Sequence, residues 1–216
     1  HPVSIQVNGQ WQTFPNARAA EEAAYGEYKD NLRRTAENFR ITDDHLGEGG
    51  PKAKFQANIA AIKLLKYLEE TTEQATPEQQ KILSRYVGWG GLADAFDPER
   101  APHVAEYTQL KELLTPEEYT AVRGSTLNAH YTSPTVIRAI YEAVGRMGFE
   151  TGNILEPSCG VGNFFGMLPE EMRNSRLYGV ELDSISGRIA KQLYPKADIT
   201  VAGFETTDRR DFYDLA

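Results

Sequence analysis

Ile154-Leu155-Glu156-Pro157-Ser158-Cys159-Gly160-Val161-Gly162-Asn163-Phe164-Phe165 is the stretch that decides the fold of this 216-residue chain. A short apolar run ends in an acid, crosses a loop of small residues and enters a helix. The glycines let the backbone approach a ligand where a Cβ would clash. Free amides at the start of the following helix suit a carboxylate or a phosphate. The acid at the strand tip suits an ammonium group or a hydroxyl. A ligand with both an amino-acid head and a ribose fits that set.

Working outward, the texture on both sides is that of an α/β unit. Ser133-Pro134 opens a helix through Val136, Ile137, Ile140 and Val144. Strands are predicted at 153–156, 177–181 and 199–202, with helices between them. Strand and helix in alternation imply a parallel sheet wound by right-handed crossovers. Tyr178-Gly179-Val180-Glu181-Leu182-Asp183 is the second strand, and it too ends in acids. An acid about twenty residues beyond a glycine loop is also what a dinucleotide fold shows, so the spacing alone leaves nicotinamide cofactors open.

The front of the chain reads differently. Val3, Ile5 and Val7 alternate before an Asn8-Gly9 turn and Trp11, which predicts a hairpin. A helical pattern covers 17–39, and a loop rich in glycine covers 42–54. An amphipathic helix then presents Ile59, Ile62, Leu65 and Leu68 on one face. Thr76-Pro77-Glu78 and Thr115-Pro116-Glu117 are helix starts, with Thr as cap and Pro at the first turn. The first of these is expected to run through Ile82, Leu83 and Tyr86 into Gly88-Trp89-Gly90-Gly91. A boundary near 125 divides a mainly helical domain, 1–125, from a second domain, 126–216.

Composition narrows the class. Hydrophobic residues make up 40% and aromatics 10%, enough for a packed core. No apolar run approaches the ~20 residues needed to span a membrane, and the expected compartment is the cytoplasm. One cysteine, Cys159, excludes an internal disulfide, and the four His show no metal spacing. Cys159 reads as a small apolar filler of the loop, since a catalytic thiol wants a paired His. The chain starts His1-Pro2 rather than Met and stops without a terminal signal, which is expected of a piece of something longer. Its net charge of −8 suits a duplex binder poorly. Residues 29–66 hold eight Lys/Arg against five Asp/Glu, a local basic excess that is either a nucleic-acid patch or a solvated helix face.

Glu156-Pro157-Ser158-Cys159-Gly160-Val161-Gly162-Asn163-Phe164 resembles the first motif of the DNA amino-methyltransferases that modify adenine N6. The resemblance implies a Rossmann-like methyltransferase fold, partial here with strands one to three, and S-adenosylmethionine as cofactor. In that family this stretch binds the methionine end. Upstream, Tyr131-Thr132-Ser133-Pro134 resembles the Tyr-Thr-Pro motif, which implies that Thr132 helps hold the methionine carboxylate. The strand that ends in Glu181, followed by Leu182 and Asp183, resembles the second motif, which implies that Glu181 accepts from the ribose hydroxyls. Many family members place an Asp before a Phe after strand three; here Gly203 precedes Phe204, leaving Phe204 to stack on the adenine and Glu205 as a solvated loop residue or a substitute acid.

The family's catalytic Asn/Asp-Pro-Pro-aromatic loop, which grips a flipped base, has no counterpart in the 216 residues; it is expected beyond Ala216. No catalytic residue is therefore assigned, and the fragment is expected to bind without turning over. The front half resembles the N-terminal part of large methyltransferase-helicase proteins of plasmids, phages and conjugative elements, which implies DNA as partner and a helicase domain in the same polypeptide. Two alternatives stay open: a non-catalytic binding or scaffold module attached to a helicase, and a methyltransferase acting on RNA or protein. Family sheet order (three, two, one, four) leaves strand one with an open edge. That edge is expected to be covered by residues 212–216 as a stub of strand four, or by self-association. Trp89 is either a base-stacking platform or a core residue at the domain joint.

Overall fold

The computed structural model describes residues 1–99, 104–126 and 131–216, with Arg33 described by its backbone alone. The chain opens with an antiparallel hairpin, β1 (Val3–Val7) and β2 (Gln10–Phe14), turned at Asn8 and Gly9 with φ of 51° and 74°. Two left-handed residues in succession give the tight turn whose twist matches the strands. Helix α1 (Ala17–Thr35) follows, capped by the Asn16 side chain, which accepts from Ala19 N–H. It ends four residues short of the expected 39. The cause is tertiary: Phe39 N–H donates to Leu193 O at 2.8 Å and Ile41 N–H to Gly166 O at 2.9 Å, which draws 36–41 out of the helix.

Helix α2 (Pro51–Thr71) begins on Pro51, so the glycine loop ends at Gly50 rather than 54. Its face of Phe55, Ile59, Ile62, Leu65 and Leu68 is buried. Helices α3 (Pro77–Leu83) and α5 (Pro116–Ser125) both start on full capping boxes, Thr76 with Gln79 and Thr115 with Glu118. Helix α3 stops at Leu83 instead of running through Tyr86. Buried Asn58 accepts from Val87 N–H at 2.9 Å and donates to Gly88 O at 2.6 Å, so the chain turns inward there. That turn places Tyr86 and Trp89 in the core. A short helix α4 (Val104–Leu113) lies between, with Leu110 as its buried residue.

After α6 (Pro134–Arg146) comes the sheet: β3 (Asn153–Glu156), β4 (Arg176–Glu181) and β5 (Asp198–Val201), all parallel, in the order β3-β4-β5. A one-turn helix α7 (Asn163–Gly166) follows the glycine loop, and α8 (Ser184–Leu193) joins β4 to β5. The chain is thus mixed α/β with a small parallel three-stranded sheet. The free side of β3 is covered by the end of the chain: Leu155 N–H donates to Leu215 O at 2.8 Å, Asp214 N–H to Asn153 O at 2.8 Å, and Ile154 bridges Leu215 in parallel.

Helix α8 is the joint. It lies on β4 and β5 and packs against α2, α3 and α5. One continuous core of buried residues runs from Phe55 through Trp89 and Val122 to Ile199. The last carbonyls of α8, which have no intrahelical partner, are taken up by side chains from α3 and its approach. Gln80 Nε2 reaches Leu193 O at 3.2 Å and Gln74 Nε2 reaches Gln192 O at 2.9 Å. Among the described residues, no helix is long and apolar enough to cross a membrane.

Candidate functional site

The glycine loop bends sharply at the end of β3. Gly160 and Gly162 have φ of 54° and 84°, the left-handed region that L side chains rarely adopt. A Cβ on Gly162 would stand 2.4 Å from the Tyr194 ring, so that glycine is also demanded by packing. The loop is tied to β4 by two bonds: Cys159 N–H to Val180 O at 3.0 Å, and Gly160 N–H to Glu181 Oε2 at 2.6 Å. Glu181 Oε1 accepts in turn from Asp183 N–H at 2.8 Å. Both tips therefore share one carboxylate, which sets the distance between the loop and the end of β4.

A cavity of about 450 Å³ opens over those tips. Of the residues expected to form the site, Tyr131, Thr132, Glu156, Ser158, Cys159, Gly160, Asn163, Phe164, Glu181, Leu182 and Asp183 line it. Tyr131 belongs to the upstream motif, and its ring lies 3.3 Å from where a Gly160 Cβ would be, so the two motifs meet. Residues 128–130, quoted with that motif, lie outside the described residues. Ser133 caps α6, and Ser133 and Pro134 line an adjoining cavity of about 470 Å³, which shares Tyr131, Thr132 and Asn163 with the first. Pro157 and Gly162 shape the loop and line neither cavity. Phe204 is 54% exposed and lines neither, while the Glu205 carboxylate folds back over Gly203.

The electrostatics are those of acids in a partly dry place. Burial pushes the Glu156 carboxyl up to about 7. Burial, then the nearby Glu181 and Glu156 carboxylates, push the Cys159 thiol up to about 12, so it is a protonated filler and no nucleophile. Burial likewise raises Tyr131, with Ser186 as its polar neighbour. Asp183 caps α8: its Oδ2 accepts from Ser186 N–H at 3.0 Å and from Ser186 Oγ–H at 2.5 Å. Its other oxygen, Oδ1, is buried and has no hydrogen-bond partner among the described residues. An acceptor in that state costs ~1–3 kcal/mol unless a donor reaches it.

The helical region also contributes to the lining: Gly88, and Ala121, Gly124 and Ser125 of α5. These residues escape a reading of sequence motifs, since small residues on one turn of a helix carry no chemistry of their own. Ser186 was also missed; its place one turn after an acid that caps α8 is a signal that a capping analysis would find. Trp89 is fully buried, with its Nε1–H donating to Tyr86 Oη at 3.0 Å and its ring edge-on to Phe55 and Phe96. It is a core residue, which excludes it as a stacking platform. In the basic stretch 29–66, Lys66 pairs with Glu118 at 2.7 Å, Arg40 donates to Leu168 O at 2.5 Å, and Lys29 lies over the Tyr25 ring.

The chain is 26% identical over 159 residues to the "Defense against restriction protein B" of Escherichia phage P1, covering 74% of this chain and 6% of that protein. It is 36% identical over 85 residues to the "Type II methyltransferase M.CvrRI" of Paramecium bursaria Chlorella virus XZ-6E, covering 39% of this chain and 22% of that one. The chain thus spans a small part of the length of either relative. No family model matches it. No solved structure matches it.

Proposed function

We propose that this chain is the S-adenosylmethionine-binding part of a DNA methyltransferase of the adenine-N6 type, with 1–125 as a helical domain and 126–216 as a Rossmann-like cofactor-binding half. The observation that carries this reading is the cavity itself, where the strand-tip acids, the glycine loop and Tyr131-Thr132 converge. Similarity to a viral type II methyltransferase supports it.

The residues present fit the cofactor. Half-buried Glu156 is an acid in want of a cation, which the ammonium of a methionine head provides. The partnerless Oδ1 of Asp183 wants a donor, which a ribose hydroxyl provides. Thr132 lines the same cavity, and its hydroxyl would donate to the carboxylate of the head. S-adenosylmethionine, when bound, supplies a methyl group on a positively charged sulfur. The work of this chain is to hold it: Glu156 fixes the head, Glu181 keeps the glycine loop against β4, and Tyr131 closes the loop from above. The 216 residues contain no Asn/Asp-Pro-Pro-aromatic string, so transfer to a base, DNA as partner and an attached helicase belong to the longer protein in this proposal.

Isothermal titration of the chain with S-adenosylmethionine tests the reading. Binding without methyl transfer is the expected result, weakened at least tenfold in Gly160→Val, whose side chain meets Tyr131 and a left-handed φ. Binding that survives Gly160→Val unchanged would place the ligand elsewhere.

A further inference from the structure

Gly124 sits in α5 without a structural reason. Glycine costs a helix ~1 kcal/mol relative to alanine; its φ lies outside the left-handed region, and a Cβ added to it meets nothing within 4 Å. Ala121, Gly124 and Ser125 are spaced three and four residues apart, so they share one face of the helix. All three line the 450 Å³ cavity. Two further residues of that cavity are poorly satisfied by the protein. Leu182 leaves its apolar side chain 77% exposed, and Asp183 holds a buried oxygen without a partner among the described residues. Apolar surface in water and an acceptor without a donor both carry a free-energy cost. A flat apolar ring bearing a hydroxylated sugar relieves both at once.

We propose that α5 is one wall of a nucleoside slot: the face of Ala121, Gly124 and Ser125 encloses the adenine ring together with Leu182, and Asp183 Oδ1 accepts from the ribose. The proposal rests on the cofactor reading above and adds that the helical region selects the ligand along with the sheet. It also moves the ring contact away from Phe204, which is half-exposed and lines neither cavity. Small side chains on α5 set the height of the slot, and any larger one at 124 takes the space of the ring.

The test is calorimetric titration of the 216-residue chain with S-adenosylmethionine, and with adenosine as a probe lacking the amino-acid head. Wild type, Gly124→Ala and Gly124→Leu are compared, each with a thermal melt. Gly124→Leu is expected to bind both ligands at least tenfold more weakly with Tm unchanged or raised, because leucine is the better helix former. Gly124→Ala adds a single methyl and is expected to lose less. A folded Gly124→Leu that binds like wild type overturns the slot and leaves the cofactor reading standing, whereas a wild type that binds neither ligand overturns both. If Gly124→Leu does not fold, amide NMR of the wild type decides. Adenosine must then shift the amides of 121–125, and shifts confined to the sheet overturn the proposal.

Discussion

Two demands pull against each other at Glu156. The folded protein buries a carboxyl beside the neutral Tyr141 and Cys159, and burial raises it from the ordinary 4.5 to about 7. Between those two values the folded state holds more protons than the unfolded one, so stability falls as pH rises through that window. Glu156→Gln removes the conflict. It is expected to raise stability at pH 8 by about 1–2 kcal/mol, allowing for partial solvent access, and to leave it unchanged near pH 4, as thermal melts at both values will read. The same group makes ligand capture pH-dependent: a cationic head prefers the ionised acid, so affinity for S-adenosylmethionine should weaken as pH drops below about 7. In Glu156→Gln that slope should vanish. A flat affinity between pH 6 and 8 in the wild type would mean that Glu156 does not face the head.

At the scale of elements, Arg188 fastens the sheet to the helices. From α8 it donates Nε and Nη2 to the two Glu69 oxygens of α2, at 2.7 and 2.5 Å, and Nη1 to Glu118 of α5 at 2.7 Å. Glu118 also takes Lys66 Nζ at 2.7 Å. Burial alone would raise the Glu118 carboxyl; the hydrogen bonds from Lys66 and Arg188 outweigh it and hold it at about 2. A depressed acid contributes stability that is present above the ordinary 4.5 and is lost as pH falls toward 2. Glu118→Ala strands Lys66 and leaves Arg188 with Glu69 alone, and is expected to cost about 2 kcal/mol at pH 7, with a smaller deficit at pH 3. Equal deficits at both values would assign the loss to packing. None of this staple is legible in sequence, because its partners are 52 to 119 residues apart and each alone is an ordinary surface charge. What the sequence does announce is local. Asn8-Gly9, the two Thr-Pro-Glu starts and the three strands each carry their own signal, and all form within a residue of the expected bounds. Helices α1 and α3 stop early because Leu193, Gly166 and Asn58 offer better partners than another turn would. The candidate site divides the same way: motif residues from Tyr131 to Asp183 were readable, and the α5 wall was not.

For the molecule as a whole, the outer edge of β3 is the vulnerable place, and residues 212–216 cover it. Deleting them bares the Leu155 N–H and the Asn153 carbonyl, unpaired edge groups that recruit other strands. The truncated chain is expected to dimerise or aggregate at concentrations where the full chain is monomeric, as light scattering after size exclusion will show; a monodisperse, monomeric truncation would argue that the edge is harmless. Net charge acts at the same scale. At −8, with Lys29, Arg40 and Lys66 engaged internally, the chain is expected to hold duplex DNA poorly at physiological salt and to release it steeply as salt rises. A gel shift with sequence-specific binding by the chain alone would overturn that expectation. The grip of Gln80 on the end of α8 has a further consequence, in time. Those partners lie 112 and 113 residues apart, and a ribosome adds ~5–20 residues each second. The helices must therefore wait roughly 6–23 seconds, with the face of α2 and α3 that α8 will cover still open to solvent, before the segment that closes it has been made.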